Sequence, residues 1–208
     1  MAINHQVKQG DCISSIAFEN GFFPDTIWDH PNNAELKEKR KDPNVLMPGD
    51  MVFVPDIRVK EVSEPTNQVH KFKCKNTPKF LSIQLINFDA PLSNMEYTID
   101  IDGKESKGKT DNEGLLRQAI PPNAKKAKLT LADETEYELK LGNLDPVDEI
   151  SGVQKRLNNL GFFEGDIDGQ MNDETKNALK VFQGSYDLEI TGETNAQTKD
   201  LLTKMIGK

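Results

Sequence analysis

The residue types that could do chemistry are few and scattered along this chain. There are three histidines, His5, His30 and His70, and two cysteines, Cys12 and Cys74. None of these spacings brings ligands together as a zinc site does. No metal and no cofactor is therefore expected. The stretch Asp166-Ile-Asp168-Gly169 sets two carboxylates beside a glycine, as a calcium loop might begin. An EF-hand loop carries its glycine sixth and a glutamate twelfth, so this one reads as a plain turn. No Cys-His or Ser-His-Asp arrangement and no glycine-rich phosphate loop is suggested. Carboxylate pairs abound among 34 acidic residues and carry no weight. A non-catalytic protein, with no catalytic residues, is expected.

Composition narrows the partners. Over 208 residues, 26 basic against 34 acidic side chains leave a formal net charge of −8. That balance disfavours nucleic acid, which needs a concentrated basic surface. The densest basic stretch, Lys37 to Lys41, is interrupted by Glu38 and followed by Asp42, as on a solvated face. The two distant cysteines read as reduced thiols. The first ten residues hold no apolar run, and no stretch is long enough to span a bilayer. A soluble protein with no membrane partner is expected, without a secretory signal and with a cytoplasmic pool.

Three segments must position whatever binds. Two stretches read as linkers, Val62-Ser-Glu-Pro-Thr-Asn-Gln68 and Leu144-Asp-Pro-Val-Asp-Glu149. They divide the chain into 1–61, a linker at 62–69, a β segment over 70–143 and a helical segment over 144–208. In the first segment the order is strand, helix, helix, strand. His5-Gln-Val-Lys is the first strand, and Asp11 or Ser14 could cap the helix carrying Ile13, Ile16 and Ala17. The second helix is expected after Pro31-Asn32-Asn33, and Met51-Val-Phe-Val54 forms the last strand between prolines.

Those residues resemble the LysM family. The matching features are Val7, Gly10-Asp11-Cys12-Ile13, Ile16-Ala17, Ile27-Trp28 and Leu46-Met-Pro-Gly49-Asp50-Met-Val-Phe-Val-Pro55. Departures are Cys12, where the family usually has threonine, and an enlarged stretch from Glu35 to Asn44. LysM modules bind N-acetylglucosamine polymers in a shallow groove. The resemblance implies a groove here at Gly10, Asp11, Cys12, Ile13, Val45, Leu46, Met47 and Pro48, for peptidoglycan or a chitin-like glycan. The same fold could instead serve as a protein-docking module, and both readings stay open.

The middle segment alternates apolar and polar residues at Phe80–Phe88, Tyr97–Asp102, Lys128–Leu131 and Tyr137–Leu141, the mark of a small antiparallel sandwich or barrel. Asp102-Gly103 and Asp133-Glu134 read as turns. The turn from Gly108 through Thr110-Asp111 to Gly114 resembles those of immunoglobulin-like carboxypeptidase-regulatory domains.

The last segment repeats itself. Gly161, Phe163, Ile167, Gly169, Asn172, Thr175 and Leu179 recur 23 residues later as Gly184, Tyr186, Ile190, Gly192, Asn195, Thr198 and Leu202. Each unit reads as an aromatic, a tight Ile-x-Gly turn, an Asn cap and an apolar-striped helix. Neither unit can bury its apolar stripe alone, so both share a core with a helix over Val153 to Leu160. The pattern Val153-Gln154…Leu157…Leu160-Gly161-Phe162, Gly165-x-Ile167-Asp168-Gly169, Thr175…Ala178-Leu179…Phe182-Gln183, Ile190-Thr191-Gly192 resembles the peptidoglycan-binding domain found at the ends of many wall hydrolases. A ligand groove there would be rimmed by Phe162, Phe163, Asp168, Gln183 and Tyr186.

The expected architecture is multidomain α+β: a βααβ LysM-like module, a central β-sandwich and a three-helix peptidoglycan-binding-type module. The stretch from Leu139 to Phe162 also resembles accessory proteins of bacterial contractile injection systems, including type VI secretion. That resemblance implies spike or baseplate proteins as partners, and delivery to a periplasm or target cell by the machine. The competing class is a wall hydrolase or effector with a concealed activity.

Overall fold

The computed structural model describes residues 2–57, 63, 65–69, 79–87 and 90–206. His70 and Cys74, and with Cys74 the expectation of two reduced thiols, lie outside the described residues.

The chain opens with β1 (Ile3–Gln6), followed by α1 (Ile13–Glu19), α2 (Pro24–Trp28), a 3-10 turn (Pro31–Asn33) and α3 (Ala34–Arg40); β2 (Met51–Val54) pairs with β1. In α1 the buried Ile13, Ile16 and Ala17 form one stripe. Where a second helix was expected only after the asparagines, Ile27 and Trp28 have a helix of their own, started by Pro24 at its first position. The asparagine at the break does structural work. Asn33, 1% exposed, donates from Nδ2 to the carbonyls of Ile27 and Phe53, each at 2.8 Å, and accepts from the Phe53 N–H. The enlarged stretch forms α3, which buries no residue.

The middle segment begins with β3 (Lys79–Gln84), β4 (Ile86–Asn87), β5 (Ala90–Pro91), β6 (Glu96–Ile101) and β7 (Lys104–Lys109), then β8 (Leu115–Ile120), β9 (Lys126–Leu131) and β10 (Glu136–Lys140). A four-stranded antiparallel sheet runs β10-β9-β6-β7, with separate pairs β3-β8 and β4-β5. Alternation sends Tyr97, Ile99, Ile101, Ala127, Leu129 and Leu131 into a core shared with Leu116, while Leu81 and Ile83 pack against it. Asp102 and Gly103 both take positive φ, 50° and 88°, between β6 and β7, as the two-residue hairpin turn requires.

Strand β7 departs from expectation. Its sequence KESKGK has no apolar alternation, and Gly108 and Lys109, read as the start of a turn, lie inside it. It forms as an edge strand on β6, and its lysines suit an edge exposed to water. Gly108 sits under the Tyr97 ring, where a Cβ would come within 2.5 Å of the phenol oxygen. The turn proper is Asp111–Gly114, with Asp111 Oδ1 accepting from the N–H groups of Glu113 and Leu115.

The last segment holds α4 (Ile150–Asn159), α5 (Asp173–Ser185) and α6 (Ala196–Met205). They enclose a core of Val153, Leu157, Phe163, Ala178, Leu179, Phe182 and Leu202. No helix among the described residues is long and apolar enough to cross a membrane.

The chain divides into two compact units. One comprises Met1–His5, Ile13–Ala34 and Val52–Leu141; the other comprises Gln6–Cys12, Glu35–Met51 and Gly142–Lys208. Part of the stretch 144–149 is packed within the second unit. Asp145 and Pro146 are buried, and Lys155 Nζ meets Asp145 Oδ2 at 2.7 Å. Residues 63 and 65–69 are exposed, with Val69 at 92%.

Candidate ligand-binding surfaces

The repeat in the last module builds two loops by the same device. Asn172 caps α5, its side chain accepting from the Thr175 N–H at 2.8 Å; Asn195 caps α6, accepting from the Thr198 N–H at 2.9 Å. Each loop turns through a glycine at φ 71°, Gly169 or Gly192, in the left-handed region where a side chain is strained.

A fully buried glutamine on the preceding helix then pins each loop. Gln154 accepts the Gly169 N–H at 2.9 Å, while its Nε2 reaches Asp168 Oδ1 at 2.7 Å and Thr175 Oγ1 at 3.0 Å. Gln183 accepts the N–H groups of Thr191 and Gly192, both at 2.9 Å, and its Nε2 reaches Thr198 Oγ1 at 3.0 Å. Four or more polar contacts per buried amide leave it nothing for a ligand. A sequence signal existed for both: Gln183 follows Leu179 by four residues and Gln154 precedes Leu157 by three, placing each on the buried stripe.

The groove residues expected here are thereby rearranged. Gln183 is interior, not rim, because the loop amides need it. Phe163 is 3% exposed and belongs to the core. Asp168 is exposed, but its carboxylate is held below its ordinary range, first by the Gln154 amide and then by the Gln170 N–H. Phe162 is half-buried. The Gly161 C-cap, with φ 79° and the Phe162 N–H bonded to Leu157 O at 2.8 Å, aims it at Phe182 and Tyr186, with ring centroids 5.4 and 6.1 Å away. Of the five, Phe162 and Tyr186 form one surface, and Tyr186 is 38% exposed. The exposed apolar residues of this module that sequence reasoning did not propose as contacts include Val181, Met205, Ile167 and Ile190. The last two occupy equivalent places in the repeat, each on a pinned loop. Ile190 lies over Gly184, its Cδ1 3.4 Å from where a Cβ would stand.

The groove expected in the first module is not open at its first loop. Asp11 is 6% exposed, Ile13 0%, Val45 7% and Leu46 4%; Gly10, Cys12 and Met47 are half-buried, and Pro48 is exposed. Asp11 Oδ2 accepts the Lys8 N–H at 2.9 Å, and Gly10 O faces Gly142. Of these eight positions, the structure leaves Pro48 fully at the surface. Nearby, Arg40 forks onto Asp50, Nε to Oδ2 at 2.7 Å and Nη2 to Oδ1 at 2.9 Å, with both side chains under a tenth exposed. Burial pushes the Asp50 carboxyl up, but the bonds from Arg40 and the Met47 N–H outweigh it and hold it below the usual value.

In the middle segment a concavity of about 570 Å³ opens on the four-stranded sheet, lined by residues that include Thr98, Lys107, Lys109 and Thr130. Glu96 and Lys109 at its edge pair at 2.9 Å in full solvent. Among the described residues no group of His, Cys, Asp and Glu is placed to hold a metal ion.

Residues 147–202 match the family model "Putative peptidoglycan binding domain". The match covers α4, the repeat, α5 and α6 as far as Leu202, and does not reach the first and middle segments. Comparisons with curated proteins and with solved structures gave no match.

Proposed function

We propose that this chain is a non-catalytic peptidoglycan-binding protein, and that residues 147–202 make the contact. The observation that carries the reading is the match of that segment to a peptidoglycan-binding family model, on a module whose two loops are rigidly pinned. Rigid loops suit recognition, since little conformational entropy is lost when a ligand settles on them. Tyr186 and Ile190 offer an apolar face of the kind on which a sugar ring or a stem-peptide methyl group rests. The non-catalytic reading is supported by the buried polar side chains Gln154, Gln183, Thr175 and Thr198 being committed to the module's own loops and caps.

The net charge of −8 opposes an anionic wall, so retention should strengthen modestly as salt screens the repulsion. The test is sedimentation of the full chain with insoluble peptidoglycan across a salt series, with release of dyed wall fragments followed in the same tubes. Sedimentation without release is expected. Failure to sediment at every salt concentration would remove the reading, and release of fragments would make the chain an enzyme.

A second reading has the chain dock on spike or baseplate proteins of a contractile injection system, from a cytoplasmic pool. The exposed aliphatic side chains Val181 and Ile190 favour it, since such side chains serve a protein surface equally well. A Val181→Ser substitution that abolishes a spike-protein pull-down but leaves sedimentation unchanged would establish it as a separate activity.

A further inference from the structure

One surface remains that neither reading uses: the loop and enlarged stretch of the first module that belong to the same compact unit as the chain's end. Two close backbone approaches bracket the segment between them. At one side Gly142, at φ 67°, lies so near Gly10 that a Cβ would stand 2.8 Å from the Gly10 carbonyl oxygen and 3.5 Å from its Cα. At the other, Pro146 O lies so close to Gly152 of α4 that a Cβ there would come within 1.9 Å. Residues 142–146 therefore fit between Gly10 and α4 only because the chain has glycine at 142 and 152.

Charges extend the same contact. Arg40, fixed on Asp50 by its fork, turns Nη1 to Glu149 Oε1 at 3.5 Å. The Asp148 carboxyl is held low, chiefly by the hydrogen bond from Lys199, with Lys41 and Arg40 adding attraction. Arg156 is 2% exposed and donates from Nη1 to Asp145 O at 2.7 Å and Gly152 O at 2.9 Å, and from Nε to Ile206 O at 3.1 Å. Burial lowers it to about 10, and Asp42 and Asp145 oppose that loss, so it stays charged at neutral pH. Asp42 thus places a carboxylate of the enlarged stretch in the field of a buried cation on α4.

We propose that the loop Gln6–Cys12 and the stretch Glu35–Met51 form a docking cradle for this chain's own residues 142–149, so that the first wall of the expected glycan groove is occupied in cis. The enlarged stretch is the device that makes the cradle: it carries Arg40 and Lys41 to the segment they hold, and sets Asp42 toward Arg156 of α4. This inference stands independently of what the last module binds.

The test uses the full chain and two variants. Gly142→Val puts a β-branched side chain where the Gly10 carbonyl stands, and Asp148→Lys with Glu149→Lys sets two cations against Arg40 and Lys41. Amide hydrogen exchange is read at Gly10, Asp11 and Cys12, and a hexamer of N-acetylglucosamine is titrated into the parent by amide NMR. In the parent these amides are expected to be protected and unmoved by the hexamer. In both variants their exchange should rise by about tenfold or more while α5 and α6 keep their protection. Should Gly142→Val also strip protection from α5 and α6, the charge variant alone decides. Unchanged exchange at 10–12 in the charge variant, or parent amides at 10–12 or 45–48 shifting with the hexamer, would overturn the cradle. Sedimentation with peptidoglycan reads a different module, so its failure leaves this result intact.

Discussion

Buried positions in the sheet β10-β9-β6-β7 are apolar almost throughout, with Ile99, Leu129 and Leu131 at its centre and ion pairs such as Glu96–Lys109 and Lys128–Glu136 left in solvent. The last module is built differently. Beside its aliphatic core it buries Gln154, Gln183, Thr175, Thr198 and Arg156, nearly all of whose polar bonds go to loop backbone, caps or chain ends. Apolar packing holds elements together without directing their loops. Buried amides hold loops in one geometry, at the cost that each broken bond leaves an orphan in a dry interior. The sheet is thus a scaffold, while the helical end spends buried polarity on fixing the surfaces that would meet a ligand.

Substitutions should separate the two designs. Leu129→Ala removes side-chain volume from a site 1% exposed and is expected to cost roughly 2–5 kcal/mol of unfolding free energy, read by denaturant titration, without changing peptidoglycan retention. Gln183→Leu keeps the volume but leaves the Thr191 and Gly192 N–H groups without an acceptor. We expect about 2–4 kcal/mol, together with loss of retention. If Gln183→Leu destabilised the chain but bound as the parent does, the loops would not be the contact.

The glycines sharpen the comparison within the repeat. Gly169→Val and Gly192→Val both force a β-branched residue to positive φ, at about 1–3 kcal/mol. A Cβ at Gly169 meets only Ser151 Cβ at 3.8 Å, whereas one at Gly192 meets Lys180 Cε at 2.9 Å and Lys176 O at 3.3 Å. Gly192→Val should therefore show the larger fall in melting temperature; equal falls would mean that the loops relax alike.

Acid gives the smallest effects and a clear order. Asp50 and Glu96 both titrate below their ordinary values in the folded chain, Glu96 chiefly through the hydrogen bond from Lys109. A depressed folded pKa contributes stability that is present above the unfolded value, near 4 for both residue types, and is lost as pH falls through the folded one. The Asp50 fork is buried and the Glu96 pair is fully exposed. Melts between pH 6 and pH 3 should lose stability in the parent, lose less in Asp50→Asn, and lose as much as the parent in Glu96→Gln.

Local pattern was enough for much of this protein. Alternation marked β6, β9 and β10, Asp102-Gly103 marked the turn that ends β6, and the spacing of Gly169, Asn172, Gly192 and Asn195 announced two turns and two caps, because each depends on neighbours a few residues away. Strand β7 was invisible, since an edge strand of lysine, glutamate and glycine is defined by the partner it pairs with. The same holds for Gln183, whose chemistry suggested a rim and whose position on the α5 stripe put it inside. Pro146 and Asp145 read as linker because proline and carboxylates usually do, yet they are buried against α4. Residue type and spacing settled β6, β9 and β10 and the caps of α5 and α6. Which polar groups went inward was decided only when residues far apart in sequence competed for the same dry volume.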